Sequence, residues 1–332
     1  MPPTIRIANL NAYKLTIDQP PERWEARATA IKEITPDVLA LQEVLVDGAL
    51  RDGETELERT ERCRAEAAGI IERLAADCGL TATTVRADGT SGGIAMANNQ
   101  HRGWFTAVLW NPDTVRAVPG GFRAHGAPDF WHGFTTIQLD IGAAVPVVIG
   151  SYHGDPFRPD FRADEARRLK GALRRTGGAK PGFVLGDFNA ISAATITTPD
   201  GSTSFYDAEP YSQQDHDDLE YQVLEGTIGK GNLADRRQTE ILLRRGFMVD
   251  AAAHLGAPWE PTVSHWEDGK GDPDPWGPRR IDLALATRPA APAVISYQTH
   301  RSPAALAASD HLPIIVDVDP AAISRDPEAS GG

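Results

Sequence analysis

An acidic and an amide side chain stand two residues apart, just after the apolar run at residues 182–185. They are Asp187 and Asn189. Because alternate side chains of an extended strand point to the same side, both groups would face one site. A carboxylate can bind a metal ion or accept a proton, and an amide can donate to an oxyanion, so the pair suits the attack of water on a phosphate ester. In the structural alternative, both residues cap a turn.

Similar polar residues recur along the chain, at the ends of other apolar runs or within them. They are Asn11, Glu43, His153, Asp282, Asp310 and His311. Glu43 is the most difficult of these to explain by structure alone, because a carboxylate in an apolar strand is costly to bury without a partner. The repetition strengthens the prediction of a catalytic site.

The order of these motifs resembles that of the endonuclease/exonuclease/phosphatase family, also called the deoxyribonuclease-I-like superfamily. The motifs are Asn11, Leu-Gln-Glu ending at Glu43, His153, Gly-Asp-Phe-Asn at 186–189, Ile-Asp at 281–282 and Ser-Asp-His at 309–311. The resemblance spans residues 4 to 318. It implies an α/β fold, the four-layer α/β-β/α sandwich of two packed mixed β-sheets flanked by helices, with the site at one end between the sheets.

The resemblance also implies a phosphoester hydrolase that depends on a divalent metal ion. Oxygen ligands select Mg²⁺ or Mn²⁺ over zinc, so one of these ions is the expected cofactor. We expect Glu43 to be the first metal ligand, supported by Asn11 and Asp310. No separate cofactor-binding motif is assigned.

The remaining residues take catalytic roles by the same resemblance. Asp187 orients or deprotonates the attacking water, and Asn189 donates to the phosphate or contacts a second metal ion. His311 contacts a phosphate oxygen, and Asp282 accepts a hydrogen bond from it, which orients the ring and favours the imidazolium. His153 is a second phosphate contact or a proton donor to the leaving oxygen.

Each assignment has a structural alternative. Glu43 can form a buried salt bridge, Asn11 can cap the end of a strand, and Asp282 can pair with Arg279 or Arg280. Similarly, Asp310 and His311 can be a turn cap followed by a core histidine, and His153 can border the pocket without taking part in the reaction.

The chain also departs from the family pattern. Tyr13 occupies the place where many nucleases carry an acidic residue, so a metal or water contact is missing. The segment 102–105 lacks the Glu that supports the first histidine in the pancreatic deoxyribonuclease type, which would leave His153 without a carboxylate partner. Four aromatic residues could line an aromatic substrate pocket, but we favour a position in the core or at its edge for them. They are Trp104, Phe105, Trp131 and Trp266.

Periodicity predicts helices at 22–34, 60–76, 164–175 and 236–245, and strands that include 106–110, 135–139, 294–297 and 314–318. We expect one catalytic domain over residues 1–320, followed by a disordered tail at 321–332. The segment at about 194–235 is rich in polar turn residues and does not resemble core, so we interpret it as an inserted loop. It would form a specificity wall or lid, or else a mobile insertion.

The composition of the chain limits the classes of partner and the location that we expect for the protein. The net charge of −13, with no basic run longer than two residues, disfavours a nucleic-acid partner, since nucleic-acid affinity comes largely from Lys and Arg. No apolar run approaches the roughly 20 residues of a membrane span, and no signal peptide is visible, so a cytoplasmic location is expected. Cys63 and Cys78 are expected to be reduced, buried thiols. The oligomeric state is left open.

The sequence therefore predicts a Mg²⁺-dependent phosphoric ester hydrolase, a phosphatase or phosphodiesterase acting on a small or lipid-like phosphoester. One alternative is a Mg²⁺-dependent endonuclease or exonuclease. A further alternative is a family scaffold used for a non-hydrolytic biosynthetic reaction, because fold and ligands do not determine the substrate.

Overall fold

Two β-sheets packed face to face form the centre of the fold, and helices cover their outer faces. The computed structural model describes residues 4–176, 178–266, 274 and 276–324. The strands are β1 (Ile5–Leu15), β2 (Val38–Leu45), β3 (Thr83–Val85), β4 (Ser91–Ile94), β5 (Met96–Asn98), β6 (Trp104–Trp110), β7 (Arg116–Ala117), β8 (Arg123–His125), β9 (Gly133–Asp140), β10 (Val147–His153), β11 (Arg174–Arg175), β12 (Gly178–Ala179), β13 (Gly182–Asp187), β14 (Thr195–Thr197), β15 (Thr203–Phe205), β16 (Met248–Asp250), β17 (Asp282–Thr287), β18 (Val294–Thr299) and β19 (Ile314–Val318). The helices are α1 (Pro21–Ile34), α2 (Glu56–Cys78), α3 (Pro159–Leu173), α4 (Arg237–Leu243), α5 (Ala251–Leu255) and α6 (Pro303–Ala308).

Both large sheets are mixed. The first has the strand order β18-β19-β1-β2-β6-β5, and the second has β16-β17-β13-β10-β9-β7, with β8 also paired to β9. Each sheet has one parallel pair near its middle, β1 with β2 and β10 with β13, with antiparallel strands on either side. The predicted fold class, two packed mixed sheets flanked by helices, is confirmed.

The alternation of side chains along each strand explains the layers. In β2, Val38 and Ala40 point into the core between the two sheets, whereas Leu39 and Leu41 point toward the outer helices α1 and α2. In β13, Phe183 and Leu185 face the other sheet, and Val184 faces α3. Strands buried on both faces need apolar residues at every position, which is why these runs show no polar alternation.

The helix predicted at 22–34 begins one residue earlier, at Pro21, and the other three predicted helices differ by two or more residues at an end. The helix predicted at 60–76 begins at Glu56, because Thr55 and Glu58 form a capping box. The helix predicted at 164–175 begins at Pro159, since proline is tolerated in the first turn, and it ends at Leu173. The helix predicted at 236–245 spans Arg237–Leu243 and continues as a 3₁₀ turn to Gly246.

The segment 194–235 has more structure than a polar loop. It contains the β14–β15 hairpin and a 3₁₀ turn at Asp217–Tyr221. It also has a small core in which four of its apolar side chains pack against three from outside the segment. The four are Tyr211, Leu219, Val223 and Ala234, and the three are Ile191, Val263 and Ile281. The expectation that it would not resemble core is wrong, because the apolar residues that anchor it are spaced too irregularly to show a period.

The ordered chain extends slightly beyond the predicted boundary at residue 320. Pro320–Ala322 form a 3₁₀ turn, and Ile323 packs into the core between the sheets, so residues 321–324 are not part of a disordered tail. The rest of the predicted tail, 325–332, lies outside the described residues. Cys63 is buried, Cys78 is partly buried, and both are free thiols. Among the described helices, none is both long and apolar enough to cross a membrane.

Candidate active site

Strand ends from both sheets meet at one edge of the sandwich. In the second sheet, the register places His153 beside Asp187 and Asp187 beside Asp282, on three neighbouring strands. In the first sheet, Asn11 in β1 and Glu43 in β2 lie at the corresponding end. Long-range strand pairing therefore brings together five of the residues that the sequence had singled out.

The backbone is irregular where Glu43 enters the site. The register of β2 with β6 shifts after Leu41, that of β2 with β1 shifts after Gln42, and Glu43 has a φ of 60°. Tyr13 and Lys14 are also left-handed, with φ of 45° and 54°. Positive φ is uncommon outside glycine and is held here by the surrounding structure. The amide of Lys14 donates to Glu43 Oε2 at 2.9 Å, which fixes the carboxylate.

The Asn11 side chain bridges two carboxylates. Its Nδ2 donates to Glu43 Oε1 at 3.2 Å and to Asp187 Oδ2 at 3.1 Å. Its Oδ1 accepts from the amide of Tyr13 at 3.0 Å. The Asn11 oxygen therefore caps the backbone, as in the structural alternative, whereas the Asn11 amide nitrogen contacts Glu43 and Asp187.

His311 and Asp282 form a buried pair. The Nδ1 atom of His311 lies 2.7 Å from Asp282 Oδ2, and Asn9 Nδ2 donates to the other oxygen of Asp282 at 3.2 Å. Burial lowers the pKa of His311, but Asp282, Asp187 and Asp310 outweigh this and hold the pKa well above its usual value. His311 is therefore an imidazolium at neutral pH, with its Nε2 3.8 Å from Asp187 Oδ2.

The neighbouring arginines do not pair with Asp282, in contrast to the alternative drawn from the sequence. Arg280 is fully buried and binds Asp207 and Asp250, at 2.6 and 2.7 Å from its Nη2. Arg279 lies 3.1 Å from Asp274.

His153 faces the acidic pair but has no carboxylate on its other nitrogen. Its Nε2 lies 3.6 Å from Asp187 Oδ2 and 4.0 Å from Glu43 Oε1, whereas its Nδ1 has no hydrogen-bond partner among the described residues. The ring instead stacks on His132, with centroids 4.0 Å apart. Burial lowers the pKa of His153 to about 4 despite the charge of Asp187, so the ring is neutral at neutral pH.

Asn189 and Asp310 complete the predicted set. Asn189 has a φ of 48°, its amide donates to Asp187 Oδ1 at 2.8 Å, and its Nδ2 donates to the carbonyl of Gly154 at 3.1 Å. Asp310 accepts a hydrogen bond from the Ser309 hydroxyl at 3.3 Å. Both residues line the cleft above the site.

The site's donor set suits a divalent cation. Among the described residues, the ligand atoms of Glu43, His153 and Asp187 all lie within 4.8 Å of one another. Burial, followed by repulsion from Asp310, raises the pKa of Glu43 to about 7, and burial also raises the pKa of Asp187. Crowded carboxylates whose charge is this costly are stabilised by a bound cation, and their oxygens suit a hard ion.

The compact set contains two residues that were not predicted as metal ligands and lacks one acidic residue that was. Asp187 and His153, predicted as catalytic, belong to it with Glu43, whereas Asp310, predicted as a ligand, does not. Asp310 is nevertheless close enough for its charge to act on Glu43 and His311.

An open cleft of about 590 Å³ rises from this site. Asn189, Asp310 and His311 form part of its lining, together with several aromatic side chains: Tyr13, Phe157, Tyr221, Trp266 and Trp276. Of the aromatic residues considered from the sequence, Trp266 lies in the cleft and Phe105 is buried against the helix layer. Trp104 and Trp131 instead contact His132 edge-on.

Sequence reasoning missed His132, Phe157, Tyr221 and Trp276. Phe157 comes four residues after His153, so its nearness to that motif was a usable signal. His132 lies just before β9, away from every motif, and gave no such signal. Tyr221 and Trp276 lie in irregular segments without a motif, and only the tertiary structure brings them to the cleft.

Comparisons with known proteins agree with this architecture. The model of a family described as "Endonuclease/Exonuclease/phosphatase family" matches residues 8–311. No curated protein sequence matches the chain significantly.

Several solved structures share the fold. A Bacteroides vulgatus endonuclease/exonuclease/phosphatase has 16% identity and a TM-score of 0.57, over 96% of this chain and 99% of that one. A family protein from Bacteroides thetaiotaomicron has 14% identity and a TM-score of 0.54, over 96% and 98%. D. rerio TDP2, solved with a single-strand DNA product, has 13% identity and a TM-score of 0.54, over 95% and 99%. At these identities, the likeness concerns the fold.

Proposed function

The chain belongs to the endonuclease/exonuclease/phosphatase family of phosphoester hydrolases, and we propose that it is a Mg²⁺- or Mn²⁺-dependent hydrolase of a small or lipid-like phosphoester. One observation carries the proposal. The Asn11 amide joins Glu43 to Asp187, and Asp187 in turn lies 3.8 Å from the imidazolium of His311. A carboxylate cluster and a cationic donor in one buried site suit a phosphate group and the water that attacks it.

In the proposed mechanism, His311 donates its Nε2 proton as a hydrogen bond to a phosphate oxygen. Asp282 holds the ring through Nδ1 and stabilises its positive charge. Asp187 accepts a proton from the attacking water or orients it, because the amides of Asn11 and Asn189 fix the position of its carboxylate. Asn189 supplies a further hydrogen bond to the phosphate.

His153 is better suited to contact than to acid catalysis. Because its pKa is lowered to about 4, it carries no proton to give up as an acid at neutral pH. The two carboxylates beside Nε2 favour the tautomer with the proton on that atom. In this tautomer Nε2 has no lone pair for a metal ion, so we assign His153 a neutral hydrogen bond from Nε2 to the phosphate.

Glu43 and Asp187 would hold the cation through their carboxylate oxygens, and Asn11 would orient both carboxylates through its amide nitrogen. His153 lies at the side of this site, and Asp310 acts through its charge. When bound, the cation would neutralise charge on the phosphate and activate water. These residues fit the ion because their oxygens are already gathered and because Glu43 is protonated at moderately acidic pH without it. Mg²⁺ usually takes only one or two carboxylates and keeps several waters, which agrees with a small ligand set.

The charge distribution favours a small substrate over a long nucleic acid. Asp218, Asp274 and Asp310 line the cleft, with Arg279 as its cation. The dense basic clusters lie instead in grooves between α3 and α4: Arg167, Lys170, Arg174, Arg244 and Arg245. Arg174 directly follows α3, at the end of the second sheet where β13 begins, whereas Asp187 lies where β13 ends. The six residues of β13 separate these two ends of the sheet by about 17 Å. Phosphates along a polynucleotide would meet an acidic cleft mouth.

A metal-dependent nuclease is the second candidate, because one solved structure with the same fold is a TDP2 with a single-strand DNA product. Plasmid nicking, or release of nucleotides from a single strand at low enzyme concentration, would favour this candidate. Turnover of a substrate in the presence of a chelator would instead favour a non-hydrolytic use of the scaffold.

The test is phosphate or alcohol release from a panel of mono- and diesters and from plasmid and single-stranded DNA, with Mg²⁺, Mn²⁺ or chelator. The variants are Asp187→Asn and Glu43→Gln, with the exposed Glu61→Gln as the matched control. We expect metal-dependent turnover of a small ester that both site variants abolish and the control retains. Absence of turnover on every ester, or equal turnover by Asp187→Asn, would contradict the proposal.

A further inference from the structure

Four of the five aromatic side chains that line the cleft form two pairs, one beside each sheet. Tyr13, at the irregular end of β1 in the first sheet, meets Trp266 edge-on with ring centroids 5.2 Å apart. Phe157, just after β10 in the second sheet, meets Tyr221 in the same way at 5.5 Å. The catalytic edge lies between the sheets, so the two pairs flank it as the walls of the cleft.

Each wall is held in place by the backbone or by polar anchors, and its rings are left for the cleft. The indole nitrogen of Trp266 donates to the carbonyl of Leu306 at 2.6 Å, and the guanidinium of Arg23 covers both rings of that pair. Tyr221 is anchored through its carbonyl, which accepts from the buried Arg162 at 2.6 Å. Phe157 is 51% exposed although it is a large apolar residue beside the site. Such exposure on an anchored wall favours a role in binding.

The charges around these walls indicate what they bind. The carboxylates of Asp218 and Asp274 line the cleft beyond the catalytic floor, and Arg279 in the same lining is already paired with Asp274. Lys14 and Arg23 lie outside this lining, over the rings of the Tyr13–Trp266 pair. A second phosphate or a carboxylate would be repelled by this lining, whereas a neutral aromatic ring would meet aromatic edges and faces. A volume of about 590 Å³ accommodates one phosphate together with a bicyclic ring or a nucleoside.

We propose, resting on the proposed function, that the two walls together form a subsite for a neutral aromatic group in the alcohol part of the phosphoester. One wall is the pair Tyr13 and Trp266, and the other is the pair Phe157 and Tyr221. The aromatic group lies between the two pairs while the phosphate lies against His311 and Asn189. The 194–235 segment contributes Tyr221 to this subsite, which gives that insertion a role in substrate specificity.

The experiment compares esters of methanol, decahydronaphthylmethanol and naphthylmethanol, in whichever mono- or diester form the enzyme hydrolyses. The two larger alcohols have the same bicyclic carbon skeleton, saturated in one and aromatic in the other, and in all three the leaving oxygen is on a CH₂ or CH₃ carbon, so the intrinsic reactivity changes little. We expect kcat/KM to rise about tenfold from the decahydronaphthylmethyl to the naphthylmethyl ester. Equal values for these two esters would overturn the subsite, because apolar area alone would then explain the binding.

The variants are Phe157→Ala and Tyr221→Ala, whose side chains carry no hydrogen bond that the fold needs in the described structure. Each should lower kcat/KM for the naphthylmethyl ester about tenfold and leave the methyl ester within about twofold. The matched control is Phe205→Ala, in the same insertion, 50% exposed and outside the cleft. An equal loss in the control, or an equal loss on both esters, would overturn the assignment.

Two further experiments distinguish a nucleobase from another aromatic ring, and a failure of the subsite from a failure of the proposed hydrolase function. Comparing kcat/KM for an ester of thymidine monophosphate with that for the matching abasic sugar phosphate shows whether the subsite binds a nucleobase. If the base gives no gain but the naphthyl ring does, the subsite binds an arylmethyl alcohol only. A gain in kcat/KM from either ring supports the subsite. If no ester is hydrolysed with any metal, the proposed function fails. Calorimetric binding of naphthylmethylphosphonate against methylphosphonate, in wild type and Phe157→Ala, then still tests the subsite, and equal affinities would overturn it.

Discussion

The imidazole of His153 stacks on that of His132, with ring centroids 4.0 Å apart and an angle of 14° between the planes. Both rings are buried, and the Nδ1 atom of each has no hydrogen-bond partner among the described residues. Many catalytic histidines are oriented by a carboxylate on the second nitrogen. Here, ring stacking holds His153, in keeping with the absence of a supporting Glu near residues 102–105.

The stack predicts that His132→Ala lowers kcat while KM changes little, because the looser His153 ring would meet the phosphate less often in the productive orientation. A loss of about threefold to tenfold corresponds to one aromatic pair. Steady-state kinetics measures it. His132→Phe is the control, since it restores a flat ring without a titrating group. A His132→Phe enzyme as slow as His132→Ala would show that stacking is not what holds His153.

Replacing Asp282 should affect His311 through its charge. Burial disfavours the imidazolium, and Asp282 is the strongest of the carboxylates that raise the pKa of His311, so Asp282→Asn should lower that pKa. We expect kcat to fall at least about a hundredfold at neutral pH. NMR of the imidazole nitrogens across pH 6 to 9 measures the shift directly. If His311 stays protonated throughout this range in the variant, the pair has another role.

Binding of the metal ion should weaken as the pH falls. Because the pKa of Glu43 is raised to about 7, the carboxylate must lose a proton before it can bind the ion. Below that pH, the affinity for Mg²⁺ or Mn²⁺ should drop about tenfold per pH unit, as one proton competes with the ion. Calorimetry at several pH values measures the slope, and activity should fall in parallel. An affinity that stays flat down to about pH 5 would remove Glu43 from the ligand set.

The same carboxylate should make the metal-free protein less stable at high pH. Between its ordinary pKa of 4.5 and the raised value of about 7, folded Glu43 keeps a proton that the unfolded chain releases, so stability falls as pH rises through this window. Glu43→Gln should therefore raise the free energy of unfolding at pH 8 by about 2 kcal/mol, a figure reduced for the partial exposure of the side chain. Urea unfolding with chelator at pH 5 and pH 8 tests the prediction; a variant less stable than wild type at pH 8 would contradict it.

The buried Arg280 should be essential for stability. It binds Asp207 of the 194–235 segment and Asp250 of β16, and all three side chains are almost fully buried. Arg280→Met would leave two buried carboxylates without their cation, and we expect a loss of about 3–5 kcal/mol in the free energy of unfolding.

The control for Arg280 is Arg167→Met, which breaks an exposed pair with Asp164. Such a surface pair contributes at most about 1 kcal/mol. Urea denaturation of both variants gives the comparison. Equal, small losses would show that the insertion is held without this cluster.

Local patterns in the sequence determined the layers of the fold and most of the candidate site. The run 314–318, apolar except for Asp317, predicted a strand, and the observed β19 has the same bounds and is buried at every position but that one. A polar residue at the end of such a run is visible without any partner, which is why Asn11, Glu43 and Asp187 were found. These features depend on chain periodicity and on the cost of burying a polar group, and both can be read along one segment.

The tertiary structure alone decided which groups face each other. It paired Arg280 with Asp207 and Asp250, a choice between charges that sequence spacing leaves open. It also set the stack of His132 on His153 and drew the aromatic walls from segments far apart in the chain. Contacts of this kind depend on strand register and on how the two sheets pack, because the partners share no local pattern.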